Sequence, residues 1–298
     1  AENAMTALGC YEIATFSFIS PKYFDKINLD QNSKLRNAET IMNPLGEDTS
    51  VMRTTTLPSM LEILSKNYNN RNENAKFFEI GKEYIPTGAD TLPNEPQRLT
   101  LGMYGANTDF YDIKGIVDTL LDALGIHDTE YLRIANSISF DEKTAFHPGR
   151  SAVILKDGVE IGVLGEIHPD TAANYGFGVK VYTAKINITE IIALAETEIS
   201  YKPLPKYPAT TRDLSLICDD DIQAADIEKT IKKAAGKLLE KVTLFDVYKG
   251  KQIEDGKKSI SYSLSMRSHD GTLTDEQADS VMKKVLKALK EIGADLRL

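Results

Sequence analysis

Asp213-Leu-Ser-Leu-Ile-Cys218 alternates polar and apolar residues, the pattern of a half-buried strand. Ile222–Leu239 follows it with Ile222, Ala225, Ile231, Ala234 and Leu238 at helical spacing behind the acidic run Asp219–Asp221. Val242–Tyr248 (VTLFDVY) is rich in β-formers, and Lys249–Lys257 is a polar loop containing glycine, suited to a hairpin. Ser259–Met266 (SISYSLSM) alternates again. Thr274-Asp-Glu-Gln277 is a capping box, in which the threonine hydroxyl and the glutamine side chain each satisfy an orphan amide. The helix behind it places Ala278, Val281, Met282, Val285, Leu289 and Ile292 on one face, and Gly293 suits the left-handed position that ends it. Asp295–Leu298 closes as a short strand. The order βαββαβ predicts a ferredoxin-like domain.

Upstream of this block lies Tyr201–Pro208 (YKPLPKYP), whose prolines stiffen the chain and remove backbone donors. It reads as a linker, dividing the chain into 1–200 and 201–298. In the first part a helix ends at Leu8–Gly9 and a strand is expected over Tyr11–Phe18. Leu57–Asn70 is helical, Lys76–Ile85 a strand, Pro86–Pro96 a polar loop, Leu99–Tyr104 a strand and Tyr111–Leu124 a helix. Three more strands are expected near Ser151–Leu155, Glu160–Gly165 and Val179–Ile186. Strands that follow one another without crossover helices predict an α+β domain, an antiparallel sheet with flanking helices.

At 298 residues the chain has the length of about two domains. No apolar run approaches the roughly 18 residues of a membrane span. The opening, AENAMTALGCYEI, lacks the basic start and cleavage site of a signal peptide and reads as a helix cut open, so a fragment is expected. Cys10 and Cys218 lie far apart, which fits a reducing, cytoplasmic setting, and no C-x-x-C or H-x-x-x-H spacing suggests zinc. The net charge of −9 is uneven. Residues 1–200 hold 17 basic and 28 acidic side chains, and residues 201–298 hold 18 and 16. Phosphate binding needs local positive potential, so the second part is the better candidate for nucleic acid.

The first part resembles the core of class II aminoacyl-tRNA synthetases. Leu8-Gly9-Cys10-Tyr11-Glu12-Ile13, with Pro21 after the strand, is similar to that family's first motif, used at dimer interfaces. Phe78-Glu79-Ile80-Gly81-Lys82-Glu83-Tyr84-Ile85-Pro86-Thr87 resembles the first half of the second motif. Its second half departs, with Ile85 where the family has arginine and Thr87 where it has glutamate. Tyr182–Glu190 has the strand and helix of the third motif without its glycines or arginine. Adenylate formation develops charge on phosphate oxygens that fixed arginines and Mg²⁺ stabilise, and neither Ile nor Thr supplies that. The resemblance therefore implies an inactive core.

Further segments are similar to one family, the β subunit of bacterial phenylalanyl-tRNA synthetase. They are Asn43–Asp48 (NPLGED), Met52–Pro58 (MRTTTLP), His147–Arg150 (HPGR), Leu164–Pro169 (LGEIHP), Thr211-Arg212-Asp213 and Leu244–Tyr248 (LFDVY). The resemblance covers essentially the whole chain and implies its C-terminal part. It implies an (αβ)₂ heterotetramer whose α subunit activates phenylalanine with ATP and Mg²⁺, and a fragment with no cofactor, metal or catalytic residue of its own. It also implies tRNA-Phe as partner, with residues 201–298 reading the anticodon.

Two readings stand for each candidate site residue. Tyr248 either stacks on a base, worth about 1–3 kcal/mol, or is an ordinary strand aromatic. The family's strand faces the anticodon, which favours stacking. Asp246, two residues earlier, either accepts from a base donor such as a guanine edge or is a solvated charge. Lys258 and Ser259 are placed to reach the same nucleotide or its phosphate. Arg212 either contacts phosphate or pairs with Asp213 or another acid. Lys249, Lys251 and Lys257 fit a solvated loop. His147 and His168 precede prolines and are either general bases, for which no nucleophile or acid stands at matching spacing, or structural histidines at turn entries. Arg53 pairs with Glu62 or with a partner subunit. Gly176-Phe-Gly178 is too short for a phosphate loop. Two rival functions remain open, an amino-acid sensor and a pure assembly scaffold.

Overall fold

The computed structural model describes residues 1–298 apart from 89–90, 197, 199–200, 202, 251, 269 and 298. It comprises two compact units, Ala1–Ile199 and Ser200–Leu298. Among the described residues no helix is long and apolar enough to cross a membrane.

The first unit contains strands β1 (Tyr11–Glu12), β2 (Phe18–Ile19), β3 (Val51–Met52), β4 (Ala75–Lys82), β5 (Gln97–Tyr104), β6 (Glu130–Arg133), β7 (Phe146–Lys156), β8 (Val159–Ile167) and β9 (Tyr182–Asn187). Its helices are α1 (Glu2–Ala7), α2 (Lys22–Lys26), α3 (Leu57–Asn69), α4 (Phe110–Ala123), α5 (Pro169–Asn174) and α6 (Ile188–Leu194). Seven strands form one sheet in the order β1-β4-β5-β9-β8-β7-β6, antiparallel except for β1 beside β4, and β2 pairs with β3 separately. The expected antiparallel α+β architecture is therefore present.

Asp109 starts α4 by accepting from the amides of Tyr111 and Asp112 at 2.7 and 3.1 Å. Ile113, Val117, Leu120 and Leu121 then bury against Phe78, Leu99, Leu101 and Ile186 of the sheet. α3 lies on the opposite face through Met60 and Leu64. Gly102 of β5 permits its close approach, since a Cβ there would sit 2.7 Å from both Leu64 Cδ1 and Met60 Cγ.

Some boundaries differ from expectation. Tyr11–Phe18 is not one strand: β1 holds two residues, and the chain then turns so that Thr15 Oγ1 donates to Glu79 Oε2 at 2.7 Å. The strand expected over Lys76–Ile85 ends at Lys82, because the Glu83 amide bonds Pro96 O and the Tyr84 amide bonds Arg53 O. β7 begins at Phe146 and accommodates Pro148 in a register shift between Phe146 and Ser151.

The second unit runs β10 (Thr210–Asp219), α7 (Ala224–Ala235), β11 (Leu239–Tyr248), β12 (Lys257–Met266), α8 (Asp275–Glu291) and β13 (Asp295–Leu296). Its sheet has the order β11-β12-β10-β13, antiparallel throughout, which is the ferredoxin-like arrangement. The Thr274–Gln277 capping box is formed in both directions, at 3.3 and 3.0 Å. Ile227 and Ile231 of α7 and Ala278, Val281, Val285 and Leu289 of α8 cover one sheet face, formed by Leu214, Leu216, Cys218, Ile260, Tyr262, Leu264 and Met266. α7 stops at Ala235, short of the expected Leu239, because Gly236 takes a φ of +63° and starts a 3₁₀ turn. The last strand ends at Leu296, and Leu298 lies outside the described residues.

Candidate functional site

With both helices on one side, the second unit leaves the other side of its sheet uncovered by helices. Pairing assigns the residues of that open face. Lys241 sits opposite Ser265, Thr243 opposite Ser263, Asp246 opposite Ser261 and Tyr248 opposite Ser259. β10 adds Asp213, Ser215 and Ile217 in the same rows. The alternate residues Val242, Leu244 and Val247 pair with Leu264, Tyr262 and Ile260 of the helix side.

A bulge at Phe245 creates this arrangement. Plain alternation from Leu244 would carry Asp246 and Tyr248 to the helix side. The register shift between Leu244 and Asp246 inserts Phe245 and turns both residues to the open face. Phe245 is 57% exposed and Tyr248 37% exposed, on the edge strand of the sheet. The Tyr248 ring lies over Gly250, where a Cβ would come within 2.6 Å of Tyr248 Cζ. Asp246 and Tyr248 thus present a carboxylate acceptor and an aromatic surface side by side.

The other expected residues separate from this pair. Lys258 lies opposite Cys218, on the helix side, and donates to the carbonyls of Asp220 (3.1 Å) and Ile222. Lys258 and Ser259 are therefore on opposite faces, which corrects the expectation that they reach one nucleotide together. Ser259 faces the Tyr248 side but is 1% exposed, and its Oγ accepts from Arg297 Nη1 at 3.3 Å. Arg212 lies opposite Leu264 on the helix side and pairs with Asp275 at 2.6 Å and Asp279 at 3.7 Å. Of its two readings the ion pair is the one formed, with the start of α8 rather than Asp213 as partner. The Asp275 hydrogen bond raises its pKa above the ordinary arginine value. Lys249 pairs with Asp220 and Lys257 with Glu254, each at 2.8 Å. The Glu254 carboxylate raises the Lys257 pKa. Lys251 lies outside the described residues.

In the first unit the sheet face beneath α3 carries a sealed ionic cluster. Glu79, Thr100 and Lys185 sit in one row across β4, β5 and β9. Lys185 Nζ bonds Glu83 Oε1 at 2.9 Å and also Glu142, while Arg98 Nε bonds Glu83 Oε2 at 3.0 Å. Burial opposes the Lys185 charge, but Glu142 and Glu83 outweigh it, and its pKa is raised. Arg53 is buried, pairs with Glu79 at 3.0 Å and donates to Thr15 Oγ1 and Lys82 O. Glu62 is instead held by Lys26, which corrects its expected pairing with Arg53. Ile85 forms a backbone bridge with Asn94, and Thr87 Oγ1 donates to Leu92 O. His147 Nδ1 accepts from the Gly149 amide at 3.1 Å and His168 Nδ1 from the Asp170 amide at 3.2 Å, so each serves its own turn. Among the described residues no group of three or more His, Cys, Asp or Glu side chains is arranged to hold a metal ion.

Comparison with known proteins agrees with this architecture. The family model for the phenylalanyl-tRNA synthetase β chain CLM domain matches residues 1–188. The chain belongs to that family. The ferredoxin-fold anticodon binding domain matches residues 205–297. The phenylalanine–tRNA ligase β subunit of Clostridium acetobutylicum is 46% identical across 99% of this chain and 37% of its own length. That of Clostridium tetani is 45% identical across 97% of this chain and 36% of its own. The chain therefore spans little more than a third of these β-chain relatives. Among solved structures, pyrrolysyl-tRNA synthetase from Desulfitobacterium hafniense superposes with a TM-score of 0.51 at 15% identity, over 67% of this chain and 71% of that one. The likeness shows that this β-chain family member shares a class II synthetase-like fold.

Gly250, Arg297 and the Lys185 cluster escaped the sequence reading. Gly250 was legible only as a loop residue, and Arg297 fell in a terminal strand without a visible face. The lone lysine in Tyr182–Asn187, flanked by apolar residues, was the available signal for Lys185.

Proposed function

We propose that this chain is a non-catalytic portion of a phenylalanine–tRNA ligase β subunit. Residues 1–200 act as an inactive class II synthetase-like domain that scaffolds a catalytic α subunit. Residues 201–298 bind the anticodon region of tRNA-Phe. The reading extends to an (αβ)₂ heterotetramer in the cytoplasm, in which ATP and Mg²⁺ serve the α subunit and this chain carries no cofactor or metal of its own.

One observation carries the proposal: the Phe245 bulge turns Tyr248 and Asp246 together onto a sheet face that no helix covers. A base stacked on Tyr248 places its edge toward a carboxylate that accepts N–H donors. The names of the β-subunit relatives and of the anticodon-binding family support this partner. The inactive role is supported by Ile85 and Thr87, which supply no charge for phosphates, and by the cluster around Lys185 that fills the sheet face beneath α3.

The test is a titration of fluorescently labelled tRNA-Phe with the chain at fixed low salt, beside an anticodon-replaced tRNA and Tyr248→Ala. The native anticodon is expected to bind more tightly, and Tyr248→Ala to lose about 1–3 kcal/mol of that binding. Equal binding in all combinations would reject anticodon reading and favour a scaffold. A thermal shift with phenylalanine in place of tRNA binding would favour a sensor.

A further inference from the structure

Arg297 follows β13 on the open face of the second sheet. Its amide bonds Ser215 O at 2.8 Å, fixing the backbone beside β10. Its guanidinium donates from Nη1 to Ser259 Oγ at 3.3 Å and from Nη2 to Gln252 Oε1 at 3.4 Å. Both acceptors are neutral, and among the described residues no carboxylate pairs with it. A guanidinium has five N–H donors in a planar fork, so most of this one remains available.

The surrounding charges give that availability a meaning. The unit's other arginines are committed, Arg212 to Asp275 and Arg267 to Glu240. Lys249 and Lys257 are held by Asp220 and Glu254. Lys241 shares the open face but lies at the far end of β11 from Tyr248. On that face Asp246 lies two residues from Tyr248, Asp295 lies in the row of Ser259 and Ile217, and Lys257 with Asp219 forms the next row, where Lys257 is already held by Glu254. A nucleotide stacked on Tyr248 brings a phosphate close to two carboxylates, which repel it. Ser259, buried beneath this site, is the anchor that holds an arginine fork over it.

We propose that Arg297 contacts a backbone phosphate of the nucleotide that stacks on Tyr248, with Ser259 and Gln252 as the positioning residues. The proposal rests on the anticodon-face reading above. It assigns Arg297 to affinity without sequence discrimination, because phosphate contacts position the RNA and carry no base information.

The experiment uses the full chain and labelled tRNA-Phe in a salt series, with anticodon-replaced tRNA alongside. Arg297→Gln is expected to weaken both tRNAs equally, by about tenfold at low salt, and to reduce the slope of log affinity against log salt by about 0.7. Arg297→Lys keeps the charge and should retain the slope while losing part of the affinity. Ser259→Ala should weaken both tRNAs without changing the slope. A second measurement leaves the protein intact: single methylphosphonates scanned through an anticodon stem-loop RNA. One position is expected at which neutralisation weakens the native chain and leaves Arg297→Gln no weaker than before. An unchanged slope, a loss confined to the native anticodon, or no such position would overturn the proposal while Tyr248→Ala still loses binding. If Tyr248→Ala also binds normally, the anticodon-face reading fails, and the Arg297 proposal with it.

Discussion

Gly250 does its work by what it lacks. Its φ is not in the left-handed region, so the backbone accepts an alanine without strain, but the Tyr248 ring occupies the space a Cβ needs. Gly250→Ala is therefore expected to leave the thermal unfolding midpoint nearly unchanged and to tilt the ring. The tilt should cost tRNA affinity about as much as Tyr248→Ala, roughly 1–3 kcal/mol in the anisotropy titration. Native affinity in Gly250→Ala would show that the ring's position is immaterial. At this scale the sequence carried Tyr248 and Asp246 through family resemblance, not through pattern. Alternation in VTLFDVY, taken alone, sends both to the wrong face, because a bulge is invisible in a period of two. Alternation did contain the separation of Lys258 from Ser259, since adjacent strand residues face opposite sides. Arg212 was ambiguous because the acids that hold it, Asp275 and Asp279, lie far away in sequence on α8.

Across elements, the Lys185 cluster ties β9 to three segments distant in sequence, through Glu83, Glu142 and Thr55 Oγ1. Removing the lysine leaves Glu142 buried without its cation and Glu83 with Arg98 alone. Lys185→Met is expected to destabilise the first unit by about 3–5 kcal/mol, read as a lower unfolding midpoint by calorimetry. The pH dependence has a definite sign. The folded-state pKa of Lys185 is raised above the ordinary value of 10.5, so its contribution is complete below that pH. It is lost as pH rises through the folded pKa. The native chain should therefore lose an alkaline increment of stability above pH 10.5 that Lys185→Met lacks, and parallel alkaline curves would refute the role. The long periodic elements, α3, α4, α8, β5 and β12, were legible because each repeats its apolar spacing several times. The two-residue β1 and β2, the four-residue β6 and the six-residue α5 carry too few repeats for any period, and tertiary pairing makes them. Arg53 is open in the sequence between Glu62 and a partner subunit, because its true partners, Thr15 and Glu79, converge from other elements.

At the scale of the whole chain, the same physical device is used to opposite ends. In the first unit helices cover both faces of the sheet, and Lys185, Glu83 and Glu142 on one of them are paired with one another. In the second unit both helices lie on one face and no helix covers the other. The βαββαβ order was plain in the sequence, and it dictates a one-sided helix layer; which strand residues look outward needed the register. The central claim is that the open face binds the anticodon region of a tRNA. The most direct measurement is ¹⁵N-TROSY chemical-shift mapping of the labelled chain on addition of the tRNA-Phe anticodon stem-loop. Perturbations centred on Asp246, Tyr248, Gly250, Ser259 and Arg297, with Arg212 and the helix-side faces of α7 and α8 unmoved, are the predicted result. Perturbations confined to the helix side, or the same map from a stem-loop with a replaced anticodon and equal affinity, would contradict the claim.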